Sequence, residues 1–250
     1  MDLSLLIDLH KDADRQGPGG MEQTLLAMRL AGILGVEGLT IADLGCGTGA
    51  STRVLAGACD ARIVAVDMIP AFLQRLQGWA EATGLQDRIK TCAATFEALP
   101  LAPESFDVVW SEGAIYNLGF EAGLRSWRPL LRPGGVLVVS DLTWLTGSRP
   151  EPLETHWARE YPEVATAADK MERLEVCGYS PLGYFPLPPA CWLDNYYDPL
   201  EQRLDAFLAR HDHSAEAHAL AAAERVEIDL YRQYQAYVSY GVFIARRTAD

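Results

Sequence analysis

Asp43, Gly45, Cys46, Gly47 and Gly49 stand together in the run Thr40-Ile-Ala-Asp-Leu-Gly-Cys-Gly-Thr-Gly-Ala-Ser-Thr52. An apolar segment ends on an acid, three alternate glycines follow, and a helix-compatible stretch at 50–57 comes next. Glycine reaches positive φ and carries no Cβ, so the turn can bend sharply and let a ligand lie on bare backbone. A helix N-terminus just beyond offers free N–H groups to a negative group. The expected occupant is small and nucleotide-like. Gly45-x-Gly47-x-x-Ala50, with the acid Asp67 ending the next apolar segment, also fits the dinucleotide fingerprint. That leaves a nicotinamide-dependent oxidoreductase open at this point. Three details pull away from it: Asp43 sits two residues before the glycines, Ser111-Glu-Gly-Ala-Ile-Tyr-Asn117 follows a later apolar run, and Leu130-Leu-Arg-Pro-Gly-Gly135 precedes another.

Holding such a turn takes a sheet. Apolar β-type runs at 62–66, 89–93, 106–110 and 136–140 alternate with helical stretches at 50–57, 70–83 and 121–131. Short strands apolar on both faces and spaced by helices predict an α/β fold with a parallel sheet. Right-handed crossovers put helices on both sides of it. Ligands in such sheets sit at the carboxyl ends of the strands, which marks Asp43, Asp67, Ser111 and Asp141. From Leu142 the rhythm breaks. The stretch to Tyr197 is rich in proline and aromatic residues, among them Trp144, His156, Trp192 and Tyr196. Helices are predicted at 163–177, 199–210 and 215–237, with strands at 182–187 and 240–246. Two more helices, 3–10 and 21–34, flank a loop containing Arg15. The expected organisation is a single domain over 1–250. Its core is 36–141 plus 238–247, and a helical and loop lid is made from 1–34 and 142–237. The density of aromatics beside the strand ends predicts closure over a small, partly apolar substrate.

Composition narrows the partners. The formal net charge is −13 with three lysines, which disfavours phosphate backbones and therefore nucleic acid. No apolar run approaches the roughly 20 residues that span a bilayer, and the first residues lack the pattern of a secretory signal. The five scattered cysteines form no CxxC pair, and His211, His213 and His218 do not share a helix face, so no metal is expected. Reduced thiols in a cytoplasmic protein are the expectation. A homodimer is compatible with it.

Four ordered motifs then resemble a known family. Ile41-Ala-Asp-Leu-Gly-Cys-Gly-Thr-Gly49, Val64-Ala-Val-Asp67, Leu99-Pro-Leu-Ala-Pro-Glu-Ser-Phe-Asp107 and Leu131-Arg-Pro-Gly-Gly135 look like those of class I S-adenosylmethionine-dependent methyltransferases. The likeness covers about residues 36–141 and lies nearest the small-molecule branch of the ubiquinone and menaquinone methyltransferases. It implies a Rossmann-like, seven-stranded, mostly parallel sheet whose last strand is antiparallel. It also implies S-adenosyl-L-methionine as cofactor, S-adenosyl-L-homocysteine as its product, and a small-molecule acceptor. On these residues Gly45, Cys46 and Gly47 line the methionine moiety, and Asp43 supports the loop or contacts the amino group. Asp67 takes both ribose hydroxyls, and Met68 packs on adenine. Relatives carry an acid after the third strand; here Thr95 and Phe96 stand in its place. Arg15 would clamp the cofactor carboxylate. Glu112 would meet the amino group, the sulfonium or a substrate proton, and Tyr116 would orient the acceptor or face the sulfonium. Trp144, His156, Trp192 and Tyr196 would contact substrate. Plainer roles compete: Asp67 or Glu112 as caps, Tyr116 as core, Arg15 as a solvated surface residue. The oxidoreductase reading lacks a Tyr-x-x-x-Lys pair, and a non-catalytic cofactor-binding subunit is the third reading.

Overall fold

A computed structural model of the chain describes residues 3–249; residues 1, 2 and 250, the outer edges of the expected domain, lie outside it. Two helices, α1 (Leu3–His10) and α2 (Met21–Ala31), precede β1 (Glu37–Leu44). Then come α3 (Ala50–Ala58), β2 (Asp60–Asp67), α4 (Pro70–Ala82), β3 (Ile89–Ala93), β4 (Phe106–Glu112), α5 (Phe120–Trp127) and β5 (Leu131–Trp144). After these the chain forms α6 (Glu151–Glu160), a short β6 (Ala165–Thr166), α7 (Ala167–Val176) and β7 (Tyr179–Pro186). It closes with α8 (Pro189–Trp192), a π-helical stretch Leu193–Tyr197, α9 (Asp198–Arg210), α10 (Ala215–Tyr234) and β8 (Val238–Arg247).

The strands run β3-β2-β1-β4-β5-β8-β7 across the sheet, and β6 pairs with the end of β5. Neighbours from β3 to β5 are parallel, while β8 is antiparallel to both β5 and β7. The α/β reading with an antiparallel last strand therefore holds, with eight strands rather than seven because β6 adds a two-residue pairing. Alternation builds a core on each face. Ile41, Val108, Trp110, Val136 and Val138 join one apolar cluster, whereas Ala42, Val109, Leu137 and Val139 join the other. Successive side chains on a strand point to opposite faces, so continuous apolar runs mean that both faces are covered.

The region after β5 differs most from expectation. The proline-rich stretch holds α6, with Pro150 at its N-cap and another proline in its first turn. Proline is tolerated there because the first N–H groups of a helix have no partner to lose. Leu153, His156, Trp157 and Glu160 recur at helical spacing along α6, a pattern the prolines obscure. The helix expected at 163–177 starts later, where Thr166 and Asp169 form a reciprocal capping box. Pro199 marks no helix start, since the π-helical stretch and α8 run directly into it. Among the described residues no helix is long and apolar enough to cross a membrane.

One buried charge pair joins the last part of the chain to the sheet. Lys170 of α7 and Asp141 of β5 are both fully buried and form an ion pair, and the Tyr161 hydroxyl donates to the same Asp141 oxygen at 2.9 Å. Burial pushes the Asp141 carboxyl up and the Lys170 ammonium down, and their mutual attraction, with the Tyr161 hydrogen bond on Asp141, opposes both shifts. Removing one partner strands the other charge. Lys170→Met is expected to destabilise the fold by about 3–5 kcal/mol in denaturant unfolding. Adding Asp141→Asn should restore part of that loss; a K170M protein as stable as the parent would contradict the pairing.

Candidate functional site

The glycine turn stands where β1 meets α3. Gly45 and Gly47 have φ of 75° and 55°, in the region L side chains avoid. A Cβ on Gly45 would collide with Ala114, and one on Gly47 with the Gln16 carboxamide. Both Gly45 N and Cys46 N donate to Val66 O, at 2.8 and 3.0 Å, which ties the turn to the end of β2. The Asp67 carboxylate reinforces this: Oδ2 accepts from Gly47 N and Oδ1 from Ile69 N, each at 2.9 Å. A carboxylate has about four acceptor sites, so the group is held by backbone yet still able to accept from a ligand. Burial pushes its carboxyl up, against the pull of those backbone N–H groups.

Asp43 faces the other way. It is fully buried and its Oδ2 accepts from Ser51 Oγ at 2.9 Å and Thr52 Oγ1 at 2.6 Å, fastening β1 to the first turn of α3. Its Oδ1 has no hydrogen-bond partner among the described residues, and burial pushes the carboxyl up to about 7. Cys46 buries its side chain in the core, and its N–H and C=O are already used by Val66 and Gly49. The geometry makes Asp43 a support for the loop and Cys46 an anchor of the turn.

The segment between α1 and α2 folds over the glycines. Gln16 Oε1 accepts from Thr48 N at 2.8 Å, and Thr48 Oγ1 donates to Ala13 O at 3.0 Å. Beside this clamp, both terminal nitrogens of Arg15 donate to Glu112 Oε2, at 3.2 and 3.0 Å. Glu112 Oε1 accepts from Thr24 Oγ1 at 2.7 Å and Trp110 Nε1 at 3.1 Å. With four bonds received and its side chain 13% exposed, Glu112 is a fixed counter-charge rather than a free proton acceptor. Arg15 is equally enclosed, which rules out a solvated surface role, and its guanidinium keeps three of its five donors. Gln16, Thr24, Thr48 and Trp110 were not singled out from sequence; a polar residue flanking a glycine loop was the only available signal.

On the other side of the turn, Met68 is 55% exposed beside Asp67. Phe96 packs edge-on to Trp127 at 5.3 Å and lies under Gly45. Thr95 is exposed and bonds the Glu97 carboxylate.

A cavity of about 230 Å³ opens at the carboxyl ends of β4 and β5. Gln16, Gly17, Pro18 and Gly113 form one side; Tyr116, Leu142, Trp157, Glu160, Tyr161, Trp192, Tyr196, Glu227 and Tyr240 complete it. Tyr116 lines the cavity rather than the packed core: 44% of its surface is exposed while its hydroxyl end is crowded by protein, and its ring stands edge-on to Tyr161 at 6.1 Å. Trp192 and Tyr196 are in the wall as expected. Trp144 and His156 are not. Trp144 ends β5 under the Arg149 guanidinium at 4.7 Å, and His156 packs edge-on to Trp157 at 4.9 Å. In their place the wall uses Trp157, Tyr161, Tyr240 and Glu227. Glu227 Oε1 accepts from Tyr197 Oη at 2.7 Å, and burial pushes the carboxyl up to about 7.

With this geometry in hand, three comparisons bear on what the arrangement is. The family model described as a methyltransferase domain matches residues 42–139, from the end of β1 into β5. The dimethylglycine N-methyltransferase of Parasynechococcus marenigrum is 34% identical over 106 residues, 42% of this chain and 38% of that protein. The malonyl-[acyl-carrier protein] O-methyltransferase of Dechloromonas aromatica is 36% identical over 124 residues, 48% of this chain and 43% of that one. The chain thus spans less than half the length of these curated relatives. A solved S-adenosylmethionine-dependent methyltransferase from Geobacter sulfurreducens, in complex with S-adenosyl-L-homocysteine, superposes with a TM-score of 0.84. It is 17% identical, and the match covers 97% of each chain. That likeness shows the fold, a Rossmann-like α/β sheet flanked by helices.

Asp43 makes a pH prediction. Between about pH 4 and 7 the native state keeps a proton on Asp43 that the unfolded chain has released, so stability falls as pH rises through that window. Asp43→Asn keeps an acceptor for Ser51 and Thr52 and removes the titration. Unfolding free energy measured against pH should decline less steeply in the variant; an unchanged slope would show that Asp43 ionises normally.

Proposed function

We propose that this chain transfers the methyl group of S-adenosyl-L-methionine to a small molecule held in the cavity beside Tyr116, releasing S-adenosyl-L-homocysteine. The observation that carries the reading is the Asp67 carboxylate, fixed by the amides of Gly47 and Ile69, at the same sheet end as the cavity. The residues fit the cofactor. A turn that tolerates no Cβ presents bare backbone to a methionine chain, and Asp67 offers carboxylate acceptor sites to a vicinal diol. Arg15, oriented by Glu112, has donors left for the methionine carboxylate. Met68 flanks the place for adenine, and Thr95 and Phe96 border it.

When bound, the cofactor supplies a sulfonium-activated methyl group that needs only an aligned nucleophile. The chain's part is alignment and exclusion of water, which can contribute up to about 7–11 kcal/mol where geometry is ideal. Gln16 and Thr48 hold the N-terminal segment down as the roof. Tyr116 stands at the end of β4, where acceptor and methyl meet, as a neutral phenol because burial pushes its hydroxyl up. Glu112 keeps the Arg15 guanidinium in place, with its oxygens taken by Arg15, Thr24 and Trp110. The expected cap of 1–34 and 142–237 is narrower than that: β5 runs on to Trp144 and β7 (Tyr179–Pro186) is a strand of the sheet, so the described N-terminal helices, α6 and the helices from α8 to α10 close over the core.

Named relatives include both N- and O-methyltransferases, so the acceptor is not set by likeness. The four sequence motifs support a cofactor-binding core similar to that of the ubiquinone and menaquinone methyltransferases. The acidic composition and the free thiols support a cytoplasmic enzyme that works without nucleic acid.

Calorimetric titration with S-adenosyl-L-homocysteine should show binding. Asp67→Ala should weaken it at least about tenfold, the worth of a charge-assisted hydrogen bond pair. Label from S-adenosyl-L-methionine carrying a radioactive methyl should move into a pooled metabolite extract. No heat with the cofactor would sink the reading. Binding without transfer would favour the non-catalytic subunit, and heat with a nicotinamide dinucleotide instead would favour the oxidoreductase.

A further inference from the structure

The cavity wall is chemically one-sided. Its titratable residues are tyrosines and two glutamates, Glu160 and Glu227; among the described residues no lysine, arginine or histidine lines it. Tyr116, Tyr196 and Tyr240 stay phenols, because burial pushes each hydroxyl up, so their rings present neutral π faces. Trp192 joins them, edge-on to Tyr240 at 4.9 Å and with its indole N–H already given to Ser239 Oγ at 2.9 Å. Glu227 spends Oε1 on Tyr197, and its Oε2 takes no hydrogen bond among the described residues. Glu227 is half-buried at the cavity wall, and a partly desolvated carboxylate with an open oxygen gains from a cation placed beside it. The raised Glu227 carboxyl, near 7, records that desolvation.

We propose that the acceptor is a cationic amine, whose ammonium head sits against the rings of Tyr116, Trp192, Tyr196 and Tyr240 with Glu227 as counter-charge. This rests on the methyl-transfer reading and names its substrate class. Aromatic faces attract a desolvated ammonium through their quadrupole, and a lone carboxylate fixes its position. An anionic acceptor would find no positive group on the wall, and a neutral one would leave Glu227 unpaired. The same carboxylate serves the chemistry. An ammonium that hands one proton to Glu227 Oε2 becomes an amine, and its lone pair forms the N–C bond to the donor methyl. The electron pair of the broken S–C bond stays on sulfur as a neutral thioether. The methylated product is again a cation, and the proton on Glu227 leaves to solvent.

Choline and its uncharged isostere 3,3-dimethylbutan-1-ol differ in charge but little in shape, and so isolate the cation. With the protein saturated in S-adenosyl-L-homocysteine, tryptophan fluorescence titration should show choline binding at least about tenfold tighter than the isostere. Glu227→Gln should remove most of that preference while leaving S-adenosyl-L-homocysteine affinity unchanged, since Glu227 lies outside the glycine turn. Tyr196→Leu, which leaves the carboxylate in place, should also reduce it. Equal binding of the two probes by the parent protein, or no choline binding at all, would overturn the amine assignment even if the cofactor binds normally. Failure of S-adenosyl-L-homocysteine itself to bind would remove the parent reading and this one with it.

Discussion

The Asp67 carboxylate holds two pieces of backbone that would otherwise be independent. One oxygen takes the amide of Gly47 in the turn after β1, and the other the amide of Ile69 at the start of α4. Because β1 and β2 are parallel neighbours, this cross-tie sets the shape of the cleft at their carboxyl ends. The glycines are what allow it: at positive φ, with Ala114 and Gln16 packed where a side chain would begin, the turn comes close enough to be tied. Several neighbouring features rest on that tie. The roof over the turn, formed by Gln16 and Thr48, is in register only if Gly47 stays in place.

Charge is managed around that tie in three distinct ways. Asp43 is sealed and driven toward its neutral form. Glu112 is neutralised by Arg15 and saturated by Thr24 and Trp110. Glu227 is left half satisfied on the cavity wall. Asp43 and Glu112 are closed off from the cavity, the first sealed in the core with its charge suppressed and the second enclosed by Arg15, Thr24 and Trp110, so both act as structure. A half-buried carboxylate with an open oxygen on the cavity wall is where a ligand's charge can be accommodated. The Asp141–Lys170 pair, with Tyr161 bonded to it, joins the cap to β5 and so connects the cavity wall to the sheet.

What could be read from the chain was what local spacing encodes. The alternation through Val108, Val109 and Trp110 announced a strand buried on both faces, and Gly45, Gly47 and Asp67 announced the turn and its acid. Arg15 and Glu112 were each singled out, but their pairing across 97 positions was not, because spacing carries no information on tertiary neighbours. Glu227 went unnoticed for the same reason: on α10 it reads as one more acid on a solvated helix, and only its meeting with Tyr197 and the cavity gives it meaning. Pro150 and Pro199 misled in opposite senses. The first hid α6, which begins on it, and the second suggested a helix start inside a continuous helical run.

A crystal structure with S-adenosyl-L-homocysteine bound tests the nucleoside grip most directly. Density should place both ribose hydroxyls within hydrogen-bond distance of Asp67, the methionine chain along Gly45–Gly47, and the sulfur facing the hollow beside Tyr116. Density with the ribose turned away from Asp67, or with the nucleoside lodged elsewhere on the molecule, would contradict the account at its base.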